Sequence, residues 1–510
     1  MKTRIVLTVA LITFLLCAAA VASPAQTFTS LASFDGTNGG WPEYESLVQG
    51  TDGNFYGTTA VGGNLSCDPP YDFGCGTIFK ISAVGALTAV YSFCPQTGCA
   101  DGAGPVSGLI LGTDGNFYGT TSGGGTTNSQ CPYGCGTVFR VTPAGALSTL
   151  YRFNFSDGDS PHAPLVQGTD GNFYGTTSAG GANGSECSGL GCGTVFKITS
   201  AGQLTTLYSF CAQSNCTDGS NPYAGLVQAT NGTFYGTTYE GGSSANCPYG
   251  CGTVFAITAA GKLTTLHSFD SSDGRYPDAG LVQAANHKFY GTTAGGGSST
   301  ACNTFGCGTV FAITSAGKLT TLYNFCSQNN CADGVDPTAV LVQATDGNFY
   351  GTTNGGGTSS ACYRGCGSIF EITAAGKLTT IFSFDLADGA TPYGGLLQAT
   401  NGTFYGTTYD GGSNDDCAGG GCGTVFSLAT GLGPFVETNP TSGKVGKKVT
   451  ILGNSLSGAT SVKFNGTAAK FKASDSEITT HVPTGTTSGF VTVTTPGGTL
   501  KSNLVFRVTK

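Results

Sequence analysis

Charge is scarce in this chain. Lys, Arg, Asp and Glu together make up 10% of 510 residues, against roughly 25% in an ordinary soluble domain. The formal net charge is −8, so the basic footprint that a phosphate backbone requires is missing and nucleic acid is not expected as a partner. Helical periodicity is missing too. No window keeps apolar residues at helical spacing over three turns, which excludes bundles and alternating helix–strand folds. Outside Ile5 to Val21 no run approaches 18 apolar residues, so no transmembrane span is expected. Histidine occurs only at His162, His267, His287 and His481. No Ser/His/Asp set and no two-His metal pair can be assembled from these, which disfavours a hydrolytic triad or a copper centre; no cofactor is expected.

What the chain has instead is 84 Gly, 21 Cys and a repeat. The stretch Leu226 to Phe269 recurs seven times, and the tyrosine of its FYGTT core falls at Tyr56, Tyr118, Tyr174, Tyr235, Tyr290, Tyr350 and Tyr405. Steps of 55 to 62 residues mean an array or a propeller. Within the unit, LVQAT stops at Asn231-Gly232 and TFYGTT follows, a hairpin with a two-residue turn. GTVFAIT and LTTLHSF supply two more short runs. Four short strands per repeat predict one propeller blade.

The ends of the array predict closure. The seventh copy ends after Cys422 to Thr430 without a fourth strand, while Thr27 to Phe34, TFTSLASF, stands before the first copy and matches the missing one. Pairing it into the last blade leaves no open edge. The fold class expected is all-β: a seven-bladed β-propeller over 27–432, with an N-terminal strand closing the last blade, then a small immunoglobulin-like β-sandwich over 433–510.

Met1 to Ala22 carries Lys2 and Arg4, an apolar run, and the small residues Ala20-Val21-Ala22, the pattern of a secretory signal peptide. Leu16 before Cys17 is too large for a lipoprotein cleavage site. The charge is divided unevenly, −16 from Gln26 to Leu432 and +6 from Gly433 to Lys510. Only Gly431 to Gly433 separate the two regions, so they should touch, with the sandwich beside blade seven in an orientation that loosens as salt rises.

Without Cys17, the cysteines form ten close pairs. Seven lie between strands two and three: Cys67/Cys75, Cys131/Cys135, Cys187/Cys192, Cys247/Cys251, Cys302/Cys307, Cys362/Cys366 and Cys417/Cys422. Three follow strand four of blades one, three and five: Cys94/Cys99, Cys211/Cys216 and Cys326/Cys331. Both members of a pair are present or absent together, as mutual disulfides require in an exported chain. Zinc competes as a reading, but no His stands beside any pair. Because the loops are short, each bridge is expected to brace mainly its own loop.

Strand direction puts the short uniform turns on one face and the cysteine-rich, length-variable loops on the other, so a ligand site is expected on the disulfide-braced face or in the channel mouth below it. Around the loop proline stand Trp41, His162, Tyr223, Tyr276 and Tyr393, the best candidates for a binding surface. Asp101, Asp157, Asp218, Asp273, Asp333 and Asp388 begin the same loops. They read as turn residues, with a calcium ring as the weaker alternative. Gln49, Gln167, Gln228, Gln283, Gln343 and Gln398, with Leu111 in blade two, read as amides serving buried backbone groups. Glu43 with Glu45 and Asp415 with Asp416 are the irregular carboxylates, read as solvated loop charge.

The unit LVQ-x-x-DGNFYGTT…CGTVFKIT…LTTLYSF resembles the Gloeo/Verruco-type tandem repeat of exported bacterial proteins, over Leu47 to Leu428. That resemblance implies an extracytoplasmic location and no particular reaction, and it carries over no functional residues. Pro434 to Val508 is similar to the IPT/TIG immunoglobulin-like domain, through Pro440-Thr441-Ser442-Gly443, Gly453-Asn454, Val462 to Gly466 and Val482-Pro483. The expected protein is a secreted or cell-surface, non-catalytic binding or structural monomer that meets an extracellular glycan or protein. The alternative is an extracellular enzyme of polysaccharide lyase or glycoside hydrolase type at the channel mouth, a fold analogy only.

Overall fold

The computed structural model describes residues 26–43, 46–64, 67, 73–95, 98–184, 187–414, 417 and 420–509. The signal segment 1–22 with Cys17, and the carboxylates Glu45, Asp415 and Asp416, lie outside the described residues. Those described are all-β, with three short 3-10 turns and no α-helix. They form seven four-stranded antiparallel sheets, consistent with a propeller, and a C-terminal β domain of two further sheets.

Blade four shows the pattern: Val227–Gln228, Phe234–Thr238, Thr253–Ile257 and Leu263–Ser268 pair in chain order. The Thr- and aromatic-rich second and third strands are buried throughout or nearly so, as β-branched and ring side chains packed on both faces of a sheet should be. Gly236 sits mid-strand because a Cβ there would lie 2.7 Å from Phe255 Cζ. The ring of the next strand thus lies directly over the backbone. The seventh sheet is completed by Thr27–Ser33, which pairs antiparallel with Thr424–Ala429.

Two aromatic series run from blade to blade. Each FYGTT tyrosine lies against the phenylalanine of the next FYGTT, from Tyr56–Phe117 to Tyr350–Phe404, with centroids 4.0–4.4 Å apart. Tyr405 lies 4.0 Å from Phe55, so the series returns from the last blade to the first. Farther out, the fourth-strand phenylalanine of one blade meets the GTVF-type phenylalanine of the next edge-on, from Phe93–Phe139 to Phe384–Phe426, and Phe34–Phe79 makes the same contact at 5.0 Å.

The glutamines form a third series. The first amide of each strand-one to strand-two turn donates to the glutamine of the following blade: Thr113 to Gln167, Thr169 to Gln228, Thr230 to Gln283, Ala285 to Gln343 and Thr345 to Gln398, at 2.9–3.1 Å. Thr400 donates to Gln49 at 3.0 Å across 351 residues. These amides serve backbone groups, as the sequence reading favoured. Because Thr400 and Gln49 are both buried, Gln49→Ala should cost about 1–3 kcal/mol by stranding an amide. Gln343→Ala, whose partner Ala285 is exposed, should stay within about 0.5 kcal/mol. Parallel denaturant melts check this, and equal effects would show that the bonds do not matter individually.

The C-terminal domain packs Val436, Val449, Ile451, Val462, Phe464, Ile478, Val491, Val493 and Phe506 between its two sheets without a disulfide. Its placement corrects the expectation that it rests beside blade seven. Asn439 donates to the carbonyl of Leu111 at 3.0 Å, Ser476 to that of Thr51 at 2.5 Å, and Asn454 to Thr400 Oγ1 at 2.7 Å, while Arg507 donates to the Thr230 carbonyl. Blades one, two, four and seven are therefore all touched, on the short-turn face, and the domain lies across the channel. The link at blade two falls where Leu111 replaces the serial glutamine. These bonds join neutral acceptors, with a single charged donor, so the opposite net charges are not what fixes the docking.

Candidate functional site

The opposite face is built by the loops from strand four to the next strand one. The structure bonds all ten cysteine pairs there, with Cα atoms 4.0–5.8 Å apart. In every loop the residue before the proline donates its amide to a carbonyl of a disulfide cysteine in the preceding blade: Trp41 to Cys422, Ser160 to Cys135, Asn221 to Cys192, Tyr276 to Cys251 and Thr391 to Cys366, at 2.9–3.1 Å. Gly104 and Asp336 do the same to Cys75 and Cys307. Six of these seven residues are not glycine yet have φ between 53° and 56°, the left-handed region. Such backbone costs of order 1–3 kcal/mol per residue and persists only where its surroundings impose it. The disulfide-braced carbonyls are the imposing element.

Each bridge is expected, from the sequence, to brace mainly its own loop; Cys99 shows that some also touch a second bridge and the next blade. It is bonded to Cys94 as expected, but its Sγ also lies 3.8 Å from Cys75 Sγ of the other bridge in blade one. In blade three Cys187 Sγ lies 3.9 Å from Cys211 Sγ, and in blade five Cys302 lies within 4.8 Å of Cys326 and Cys331. The bridges of the odd blades therefore touch two by two. Cys99 also reaches the next blade, since its carbonyl accepts the amides of Gly102 at 2.9 Å and of Gly125, in blade two, at 2.8 Å. Cys216 and Cys331 accept in the same way from Gly242 and Gly357. Both members of these three pairs, Cys94, Cys99, Cys211, Cys216, Cys326 and Cys331, have φ between 44° and 59°, a second set of left-handed residues. Sequence spacing pairs the cysteines correctly, but contact between two bridges depends on loops that lie 24 residues apart in the chain.

The register of the loop proline divides the five sequence candidates in two. Trp41 and Tyr276 precede the proline; His162, Tyr223 and Tyr393 follow it. Of the positions after the proline, His162, Tyr223, Asp278 and Thr338 line the mouth of one cavity, and Glu43, Val106 and Tyr393 are not among its lining residues. This cavity of about 570 Å³ runs from His162, Tyr223, Asp278 and Thr338 past the innermost strands to Glu437, Thr438, Asn439, Ser442 and Arg507 of the C-terminal domain. The positions before the proline form aromatic stacks outside it. Trp41 lies 5.5 Å from Tyr409 at 17°, and Tyr276 lies 4.6 Å from Tyr239 at 10° with the Arg275 guanidinium 4.5 Å from its ring. Tyr393 borders a second cleft of about 400 Å³ with Asp336, Asn354, Tyr363, Arg364 and Asp410. Ring contacts join His162, Tyr223 and, through Tyr239, Tyr276 at 4.6–5.4 Å, and Tyr409 lies 5.5 Å from both Trp41 and Tyr393, so the sequence candidates fall into two aromatic groups.

The electrostatics of the mouth were not legible from the chain. Burial pushes the Glu43 carboxyl up to about 7, and burial with the nearby Glu43 charge pushes Asp278 up to about 7. Glu43 is half-buried and not the solvated loop charge expected of it. Asp278 was overlooked, although it occupies the slot that holds His162, Tyr223 and Tyr393 in other repeats. Burial lowers the His162 pKa, and its Nδ1 donates to the Ser160 carbonyl at 2.9 Å, which leaves a neutral ring whose Nε2 can accept. Loss of solvent raises Tyr223 and Tyr393.

Two raised carboxyls fix a pH dependence. Their ordinary values are 4.5 and 3.8, so between about 4 and 7 the folded chain holds protons that the unfolded chain has lost. Stability is then highest below about 4 and falls as pH rises to 7. The melting temperature should drop from about pH 5 to about pH 7.5, and Glu43→Gln with Asp278→Asn should flatten that slope. A slope unchanged in the double variant would assign it to other groups.

The six loop aspartates are engaged within their own blades. Tyr91, Tyr151, Tyr208 and Tyr323 donate to Asp101, Asp157, Asp218 and Asp333 at 2.5–3.0 Å, and His267 Nε2 meets Asp273 at 2.8 Å. In blade six Phe382 replaces the tyrosine, and Asp388, without that donor, is pushed up to about 6 mainly by burial. Among the described residues, the groups close enough to share an ion are cysteine clusters, one of them including Asp159, and not these aspartates. The cysteines of those clusters are joined in disulfides, which leaves no thiolate to hold a metal.

Seven four-stranded repeat sheets consistent with a propeller, a C-terminal β domain and a cavity lined by both describe a repeat protein of propeller type. The Gloeobacter/Verrucomicrobia repeat model matches residues 19–131, 125–330 and 300–436, and the chain belongs to that family. An IPT/TIG domain matches 435–508. No curated protein matches the sequence. Among solved structures, a fungal alcohol oxidase of the AA5 family in complex with copper is similar at TM-score 0.51 and 14% identity, over 95% of this chain and 99% of that one. A putative gluconolactonase aligns at TM-score 0.39 and 11% identity, over 81% and 94%. The first likeness concerns the fold alone. No helix of the described residues is long and apolar enough to cross a membrane, and many disulfides with an IPT/TIG domain are consistent with an extracellular location.

Proposed function

We propose that the chain is an exported, non-catalytic binding protein in which seven blades over 27–432 close into a ring and the domain over 433–510 seals the channel from behind. A ligand enters at the disulfide-braced loop face. The observation that carries this reading is the continuous 570 Å³ cavity, bounded at one end by His162, Tyr223, Asp278 and Thr338 and at the other by Glu437 to Ser442. Its volume lies in the range of about 300–1,000 Å³ usual for small-molecule sites. Closure of the ring is supported by Tyr405–Phe55, Phe34–Phe79 and the Thr400–Gln49 bond. A thermal-shift screen of the full chain against glycans and small molecules tests the reading. Hits lost on Tyr223→Ala support it, and hits indifferent to every mouth variant overturn it.

An enzyme is the second reading, favoured by Glu43 and Asp278 titrating together near 7. Two coupled carboxyls at that pKa can hold one proton between them, the starting state for acid and base work on a glycosidic bond. Turnover of a screened glycan that disappears in both Glu43→Gln and Asp278→Asn would decide for it.

A further inference from the structure

We propose that the channel takes a small organic cation, an apolar body carrying one protonated amine, with the amine seated at Glu437. The inference rests on the reading of the channel as the binding site and adds the chemical class of its ligand. Val48, Ile110, Val166, Val227, Val340 and Leu397 line the passage and give it apolar surface for a ligand body, beside polar groups such as Gln49, Gln167 and Gln228.

The floor is different. Glu437 arrives on the first strand of the C-terminal domain, Glu437–Asn439, and lines the closed end of the cavity. Among the described residues no basic side chain lies within ion-pair distance of it. Loss of solvent alone perturbs its carboxyl, which it raises, with no compensating cation. Arg507, the one Arg or Lys among the described residues that line the cavity, gives one guanidinium N–H to the Thr230 carbonyl and keeps its charge, but it makes no ion pair with Glu437. Glu437 is half-buried, and an ammonium group would supply its carboxylate with both an opposite charge and three donors. At the entrance, Asp278, with the Glu43 charge near it, adds charge of the same sign above about pH 7, which draws cations in and turns anions away.

The test is calorimetric titration of the full chain at about pH 8 with cyclohexylmethylamine, cyclohexylmethanol and cyclohexanecarboxylate, three ligands of one shape. The amine should bind at least about tenfold more tightly than the alcohol, and the carboxylate not at all. Glu437→Gln and Glu437→Met should each erase the amine's advantage while leaving alcohol binding in place, and the pair guards against one variant misfolding. Equal binding of amine and alcohol, or an advantage that survives both substitutions, overturns the proposal. If none of the three binds while another compound is lost on Tyr223→Ala, the amine assignment fails and the channel reading stands. If no compound depends on any mouth or floor residue, both fail.

Discussion

A chain beginning at Asp35 is expected to lose the whole propeller, not one edge of it. Removing Thr27–Ser33 takes away the partner of Thr424–Ala429 and leaves an unpaired strand at the point where the array meets itself. It also removes Phe28, stacked 3.9 Å from Phe382 and 5.4 Å from Phe426, and with the next residue Phe34, which is 0% exposed and lies against Phe79 of blade one. Each buried Phe is worth about 3–5 kcal/mol by truncation to Ala. Phe34 carries that full cost and the half-buried Phe28 a smaller one, together a large share of the about 5–15 kcal/mol by which a whole domain is stable. Circular dichroism melts should show no cooperative transition in the truncated chain, and a large drop in the milder Phe28→Ala/Phe34→Ala variant. A truncated chain that melts like the full one would mean that the first strand only decorates the ring.

Reduction should have an effect of similar size. The ten bridges span only four to eight residues each, so in the chain-entropy account each contributes about 2 kcal/mol. Summed over ten, about 20 kcal/mol exceeds the total stability of an ordinary domain. The effect should begin locally, because the cysteine carbonyls hold the left-handed residues before the loop prolines. Under graded reductant, the loop-face amides of Trp41, Ser160, Asn221, Tyr276 and Thr391 should gain hydrogen exchange before the buried second strands do. Mass mapping of the unreduced protein should recover ten bridges between sequence neighbours. Cross-blade bridges, or a reduced protein with an unchanged melting temperature, would contradict this.

The sequence carried the fold further than the site. Strands two to four of each blade, the N-terminal strand and the cysteine pairs follow from local pattern, because a seven-times repeated unit states its own alternation and turns. Contacts between elements are less legible: the pair Cys94/Cys99 follows from spacing, but the approach of Cys99 to Cys75 does not. The mouth does not follow from local pattern either. The side-chain directions on either side of each loop proline depend on a left-handed residue before it, and four of the six non-glycine residues there, all but Asn221 and Asp336, are types that rarely adopt that conformation. A reading that grouped residues around the proline therefore placed Trp41, Tyr276 and Tyr393 with His162 and Tyr223, of which the last two line the cavity, and passed over Asp278. Glu437 was invisible for another reason: it belongs to a different domain, and the residues that line the cavity with it come from almost every repeat, from Ser46 to Leu397. Leu111 was a usable signal, since the one gap in the glutamine series marks a place where the C-terminal domain docks.

The most direct measurement of the account is a blocked mouth. Thr338 lines the entrance to the cavity beside Asp278, and its hydroxyl donates to Asn354, so Thr338→Trp should fill the entrance without touching the blade cores. Any small ligand found by the screen should lose at least about tenfold in affinity on Thr338→Trp, while Tyr363→Ala at the second cleft leaves it unchanged. Undiminished binding in a folded Thr338→Trp protein would show that the sealed channel is not where this protein holds its ligand.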